Sequence, residues 1–250
     1  MLSRGQNKYL YGIISEPHLP QFNVPGVGEA EVYAISYQKL AAVVSDIDQK
    51  EIDPIRKNVL AHTRIQDEII KKYDLLPMGF GMIAGSDEEI LKLLEQNYQP
   101  LSDEFLRLVG KVEIEIKLFW NQEAMLKVLE SENQEFMKLK TMISRASSPV
   151  KAQNFLVEAG KLIERVADEW KAKYAEETRA HLQELAVDIL LNDPTGVKNI
   201  LNASFLIERS REKEFQDKVH ELDLTYQDKV NFKYIGPLPP YNFIQVRLEL

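Results

Sequence analysis

The stretch LLPMGFGMIAGSDEEI, residues 75–90, sets Gly79, Gly81 and Gly85 at GxGxxxG spacing ahead of an acidic run. Glycines so placed can let a backbone approach a pyrophosphate, provided a strand precedes the first glycine and a helix opens at the loop. Here Met78, Gly79 and Phe80 already read as strand, and the helix opens only after Gly85. Asp87, Glu88 and Glu89 would meet a phosphate at that helix start, where their charge opposes it. The spacing therefore predicts structure: Gly79 and Gly81 allow close packing on a strand, and Gly85 makes a turn.

The other reactive residue types form no constellation either. His18, His62, His181 and His220 have no ligand spacing between them, and there is no HExxH. His62 falls on an apolar helical face, the setting of a satisfied, half-buried imidazole. Glu113 and Glu115 share one strand face, as paired carboxylates for acid/base chemistry would, but Lys117 shares it too. That pattern predicts a solvated outer face. GxSxG and Walker patterns are absent, and with no cysteine there is neither a thiol nucleophile, a thiolate metal site nor a disulfide. No catalytic, cofactor-binding or metal-ligating residue is assigned.

The elements that would position any site follow from pattern. Residues 8–14 read as a strand, and EVYAIS with LAAVVSD as a hairpin linked by Tyr37–Lys39. Asp53-Pro54 starts a helix whose apolar face carries Ile55, Val59, His62, Ile69 and Tyr73. GFGMIA reads as a short strand. SDEE is a capping box in which Ser86 accepts from the N–H of Glu89 and the Glu89 carboxylate returns to the N–H of Ser86. A short helix over about 101–109 ends at Gly110.

KVEIEIKLFW, 111–120, alternates cleanly and predicts a half-buried strand. A domain boundary is placed just before it, giving domains 1–110 and 111–250. Helical pattern covers about 122–143, and a second helix, starting at Ser148-Pro149, continues to about Leu191. ILNASFLIE is a strand, REKEFQDKVHELDL an amphipathic helix, KVNFKYIG a strand, PLPP a turn, and YNFIQVRLEL a last strand of the second domain's sheet. The fold class is α+β in two domains. The second resembles a βαββαβ ferredoxin-like unit carrying a long helical insertion.

At 250 residues the chain can bury a sizeable core: it is 44% hydrophobic and 28% charged. A net charge of −8 repels phosphate backbones, so no nucleic-acid partner is expected. No apolar run approaches the roughly 18 residues of a membrane span, and the first residues do not have the pattern of a signal peptide. A soluble, cytoplasmic protein without membrane insertion is expected. The most distinctive local composition is GPLPPYNF, where Pro237, Pro239 and Pro240 stiffen the backbone beside Tyr241 and Phe243.

Three segments in order resemble the gas vesicle protein F/L family: LAAVVSD; VLAHTRIQDEIIKKYDLLPMGFG; and GKVEIEIKLFW with the later YIGPLPPYNF. The combination of LLPMGFG with GPLPPYNF is the specific part. The chain departs from the family pattern at Gly79, where a basic residue is common. The resemblance implies a non-enzymatic accessory or minor structural protein of gas vesicle assembly, associated with the vesicle. Its implied partners are the small hydrophobic shell protein and other gas vesicle accessory proteins, with no cofactor. It also implies two α+β domains, the second modified ferredoxin-like. Pro237, Pro239, Pro240, Tyr241 and Phe243 are the residues placed at a partner interface. Two alternatives stay open: an enzyme with an interdomain pocket, and a helical scaffold that docks proteins through 149–191.

Overall fold

The computed structural model describes residues 7–15, 22–194, 198–226 and 229–248. The chain is α+β, with two antiparallel sheets and seven α-helices among these residues. It divides into two compact units. One contains the residues up to Glu113 together with those from Gly236 onward, and the other is Ile114–Ile235.

In the first unit β1 (Asn7–Ile14) is central, with β3 (Leu40–Ile47) on one side and β4 (Leu75–Pro77) and β5 (Ile83–Ala84) on the other. β2 (Val32–Tyr37) completes the hairpin with β3, and its turn places Gln38 at φ 53°. α1 (Arg56–Ile70) covers one face, where Tyr9, Tyr11, Val43, Ile65 and Ile69 join one buried cluster. α2 (Asp87–Gln96) lies against β2 and β3, burying Ile90, Leu93 and Leu94, and α3 (Tyr98–Leu108) follows. A sheet covered this way buries both strand faces, which is why LAAVVSD is apolar without alternation.

Several expectations change here. α1 begins at Arg56 behind Ile55, and no side chain caps it. Asp53 instead offers its backbone carbonyl to Ile55 N–H (2.8 Å) and Asn58 Nδ2 (3.0 Å). GFGMIA is not one strand: β4 and β5 flank a turn at Phe80–Gly81. Gly81 is there for its φ of +88°, a left-handed conformation that costs other residues, and not for close packing, since a side-chain carbon at Gly79 or Gly81 would meet nothing within 4 Å. The capping box forms one residue wider than expected. Ser86 Oγ accepts from Glu89 N–H (3.3 Å), while the Glu89 carboxylate accepts from Gly85 N–H (2.6 Å). Asp87 is engaged by Lys8 at 3.1 Å.

The second sheet has the order β7-β8-β6-β9, from β6 (Lys111–Trp120), β7 (Asp188–Asn192), β8 (Asn199–Glu208) and β9 (Val230–Leu238). The expected helix over 122–143 is two helices, α4 (Gln122–Glu132) and α5 (Gln134–Ser144). Asn133 ends the first, and its side chain caps the second by accepting from Phe136 N–H. α6 (Pro149–Gln183) starts as expected, with Ser148 capping Lys151 N–H and proline in the first turn. Its 35 residues span about 50 Å. It does not reach Leu191, because the apolar run after Val187 pairs with β8 as β7. α7 (Glu212–Tyr226) packs Phe215 against Phe205 of β8.

The largest correction concerns the C-terminus. No strand forms in 239–248, and the sheet ends with β9. The segment belongs to the compact unit of α1 and α3, where side chains take the N–H groups of Asn242 and Gln245 and a local turn takes those of Tyr241 and Phe243, rather than a strand ladder.

Candidate partner interface

The proline-aromatic segment was the sequence's nominee for a partner surface. The structure turns most of it inward. Pro237 lies in β9, half-buried; Pro239 and Pro240 are buried; Phe243 is 6% exposed. Of these five residues, Tyr241 alone keeps substantial exposure, at 40%. Two carboxylates hold the segment. Glu113, 1% exposed, accepts from the backbone N–H of Asn242 (2.9 Å) and from its side-chain amide. Glu104, also buried, accepts from Gln245 N–H (2.6 Å), while Arg107 binds Glu104 and donates to the Phe243 carbonyl. Burial alone would raise the Glu104 carboxyl, but Arg107 and the backbone N–H groups of Gln245 and Val246 hold it below its ordinary value. The expected wet face of β6 is therefore dry at Glu113. Glu115 and Lys117 pair with each other at 2.9 Å farther along.

A buried polar relay joins this segment to the glycine-containing stretch. Tyr241 Oη donates to Gln66 Oε1. Gln66 Nε2 donates to the carbonyls of Tyr11 (2.8 Å) and Met78 (2.9 Å). His62 Nε2 also reaches the Met78 carbonyl (3.2 Å), so that nitrogen carries the hydrogen, and Nδ1 accepts from Tyr9 Oη (3.0 Å). Tyr9 Oη in turn accepts from Gly81 N–H (3.1 Å). Burial holds the imidazole down at about 4, despite the opposing Met78 bond, so it is neutral near pH 7. Every donor and acceptor in the relay is used for structure. LLPMGFG and GPLPPYNF are thus the two ends of one joint.

The open apolar surface lies in Ile114–Ile235. Among the described residues β7 stands at the edge of its sheet and pairs only with β8, so its outer row of backbone N–H and C=O groups has no described strand beside it. Val187, Leu190 and Leu191 at that edge are 53%, 40% and 57% exposed. Lysine and proline, which commonly protect such edges, do not occur between Val187 and Asn192. The α5–α6 pair adds Met137, Met142, Leu156 and Val157, all exposed, and α5 buries no residue.

A family model described as "Gas vesicle synthesis protein GvpL/GvpF" matches residues 7–245. The chain belongs to this family. It is 27% identical over 241 residues to gas vesicle protein F of Dolichospermum flosaquae, covering 95% of this chain and 97% of the relative. It is 26% identical over 242 residues to gas vesicle protein L of Haloferax mediterranei, covering 89% and 73%. The crystal structure of GvpF from Anabaena sp. PCC7120 superposes with a TM-score of 0.80 at 24% identity, covering 97% of this chain and all of that one. GvpF from Microcystis aeruginosa gives 0.74 at 23%, covering 96% and 100%. These two likenesses establish the fold. The family places the GvpL/GvpF chain in gas vesicle assembly. Among the described residues no helix is long and apolar enough to cross a membrane, and no group of acidic and histidine side chains could hold a metal ion.

Three contributions escaped sequence reasoning, for two different reasons. Glu104 and Gln66 were legible in principle, since each stands on the buried stripe of its helix beside Leu101, Phe105 and Leu108, or His62, Ile65 and Ile69. A polar residue on such a stripe announces a buried partner. Glu113 gave no signal, because alternation on β6 assigns it to water.

Proposed function

We propose that this GvpL/GvpF chain is a non-enzymatic accessory protein of gas vesicle assembly that binds the small hydrophobic shell protein and helps nucleate or line the growing shell. It works in the cytoplasm, associated with the vesicle, alongside other accessory proteins. The observation that carries the binding reading is the open edge at β7. A small apolar shell subunit needs a partner that offers apolar contact or an unpaired strand edge, and β7 offers both. A strand of the client would extend the sheet beyond β7, with Leu190 and Leu191 contacting its two faces.

A second copy of this chain fits that edge less well. Antiparallel self-pairing centred on Leu190 and Leu191 would set Asp188 opposite the partner's Asp193, twice, and like charges directly opposite destabilise a sheet. Of the five proline-aromatic residues, Tyr241 is the one exposed enough to add a contact. The element order β6, α4–α6, β7, β8, α7, β9 with sheet order β7-β8-β6-β9 supports reading a second, modified ferredoxin-like domain with α4–α6 as its enlarged first crossover.

The test is capture of the shell protein by the full chain carrying Leu190→Lys with Leu191→Lys, which puts two ammonium groups on the edge. Capture should fall at least about tenfold with the circular dichroism unchanged, as when an anchor contact is lost. Undiminished capture removes β7 as the surface. Loss of capture only in Tyr241→Ala would transfer the role to the C-terminal segment.

A further inference from the structure

α5 and α6 pack together as a hairpin joined by residues 145–148, and α5 buries no residue. A short helix draws most of its stability from a packed apolar face, so a helix of 11 residues with none buried lacks a neighbour. Met137, Lys138, Thr141, Met142 and Arg145 form one exposed stripe along it. Near the joined end the stripe borders an open groove of about 360 Å³, whose lining includes Thr141, Met142 and Arg145 on one side and Lys151 and Phe155 of α6 on the other. The charge of this tip is opposite to that of the chain. Residues 136–157 contain Lys138, Lys140, Arg145 and Lys151 and no acidic residue, a charge of +4 within a chain of −8, so the remainder carries −12. Glu130 takes Lys140 (2.7 Å), and the acids flanking the tip are taken elsewhere, Glu135 by Arg165 (3.0 Å) and Glu158 by Lys161 (3.1 Å). Lys138, Arg145 and Lys151, all exposed, have no ion pair among the described residues.

Concave shape, apolar contact and unanswered positive charge together specify an occupant. A groove between two packed helices takes a third helix, anchored by side chains three and four residues apart. Methionines suit such a surface, since their flexible thioethers adapt to the helix that arrives. We propose that the α5–α6 hairpin docks an acidic amphipathic helix of a partner protein, which completes a three-helix face. Lys138 and Arg145 stand seven residues apart, about 10 Å along α5. The partner's carboxylates therefore recur at the same spacing, and the apolar side chains between them meet Met142 and Phe155. Lys151, on the opposite wall, faces the carboxylate at the Arg145 end. A bilayer surface fits this site less well, because the half-buried Phe155 lines a concavity and the remaining charge of −12 repels anionic lipid. The surface is also distinct from β7, which has no basic residue between Val187 and Asn192 and suits an apolar client.

The probe is a fluorescently labelled synthetic helix of about three heptads, each Glu-Ala-Gln-Leu-Leu-Ala-Gln, titrated with the full chain and read by anisotropy. It should bind saturably, with a dissociation constant on the order of 10 μM. The same peptide with lysine in place of glutamate should bind at least about tenfold more weakly. Lys138→Glu with Arg145→Glu and Lys151→Glu changes only exposed side chains and should weaken the acidic peptide at least about tenfold. Replacing the same three residues by glutamine applies the test if the reversed variant does not fold, with a loss of about fivefold or more. Met142→Gln should cost about threefold through the apolar contact. The charge-reversed variant should capture the shell protein as the parent does; loss of that capture together with peptide binding would give the groove to the shell protein and overturn a separate acidic partner. No saturable binding up to about 300 μM overturns the proposal, as do equal affinities for the two peptides or unaltered binding in the folded variants. Sedimentation of the chain with phosphatidylserine vesicles, without binding of the acidic peptide, would overturn it in favour of a lipid surface.

Discussion

Residues 236–248 and the strand β7 exchange roles between sequence and structure. The first is rich in proline and aromatics, the composition of a rigid docking surface, yet Pro239, Pro240 and Phe243 are buried against their own chain. The second reads in sequence as the tail of a long helix, yet it forms an exposed sheet edge with Leu190 and Leu191 in the open. Stickiness in composition is only potential contact. Whether it faces a partner depends on whether the chain has already used it, and Glu104, Arg107 and Glu113 already bind the C-terminal segment.

If that contrast is right, changes in 236–248 should act on stability and changes in β7 on binding. Phe243→Ala should have the largest effect, losing about 3–5 kcal/mol as a buried ring becomes a cavity, with a clear drop in melting temperature. A melting temperature equal to that of the parent would mean that the segment is loosely attached and free for a partner.

Acid should come next. His62 is neutral in the native state, held near 4, whereas an unfolded histidine takes its proton near 6.5. Below 6.5 the unfolded state therefore binds more protons, and stability falls as the pH drops toward 4, by up to about 3 kcal/mol for this group. The depressed Glu104 carboxyl acts in the same sense lower down: its contribution is present above the ordinary carboxylate range and is lost as the pH falls through its native value. Denaturant midpoints at pH 7 and pH 5 should differ in the parent and converge in His62→Phe. The exposed leucines of β7 do not titrate, so capture of the shell protein between pH 7 and 6 should change little.

Glu113→Gln should cost about 1–3 kcal/mol. The new NH2 group would face a donor of Asn242 where an acceptor stood, so one bond is lost and a donor at a position 1% exposed is left unmet. Chemical denaturation reads this directly, and an unchanged midpoint would show that the Glu113 carboxylate does not hold the segment. Smallest is Tyr241→Phe, which removes only the hydrogen bond to Gln66, about 1 kcal/mol, and should leave capture intact. A loss of capture without a loss of stability in that variant would put the interface back at the C-terminal segment.

Sequence by itself determined the elements whose reasons are local. The strand at KVEIEIKLFW, Glu113's burial aside, the apolar run of LAAVVSD, the Ser148-Pro149 start and the Ser86 cap appear as read, because nearest-neighbour chemistry decides them. So did family membership, carried by LLPMGFG and GPLPPYNF in one chain. Tertiary structure alone decided the rest. Ile189 sits at helical spacing from Leu182 and Leu185, and only the β8 edge, with its unpaired backbone, makes the run a strand. Ile244, Val246 and Leu248 alternate as a strand would, but Glu104 and Glu113, about 130–140 residues earlier, take the N–H groups of Gln245 and Asn242 that a ladder would need. A backbone hydrogen bond can be made with whatever acceptor folding brings near, and no local pattern records which one arrives.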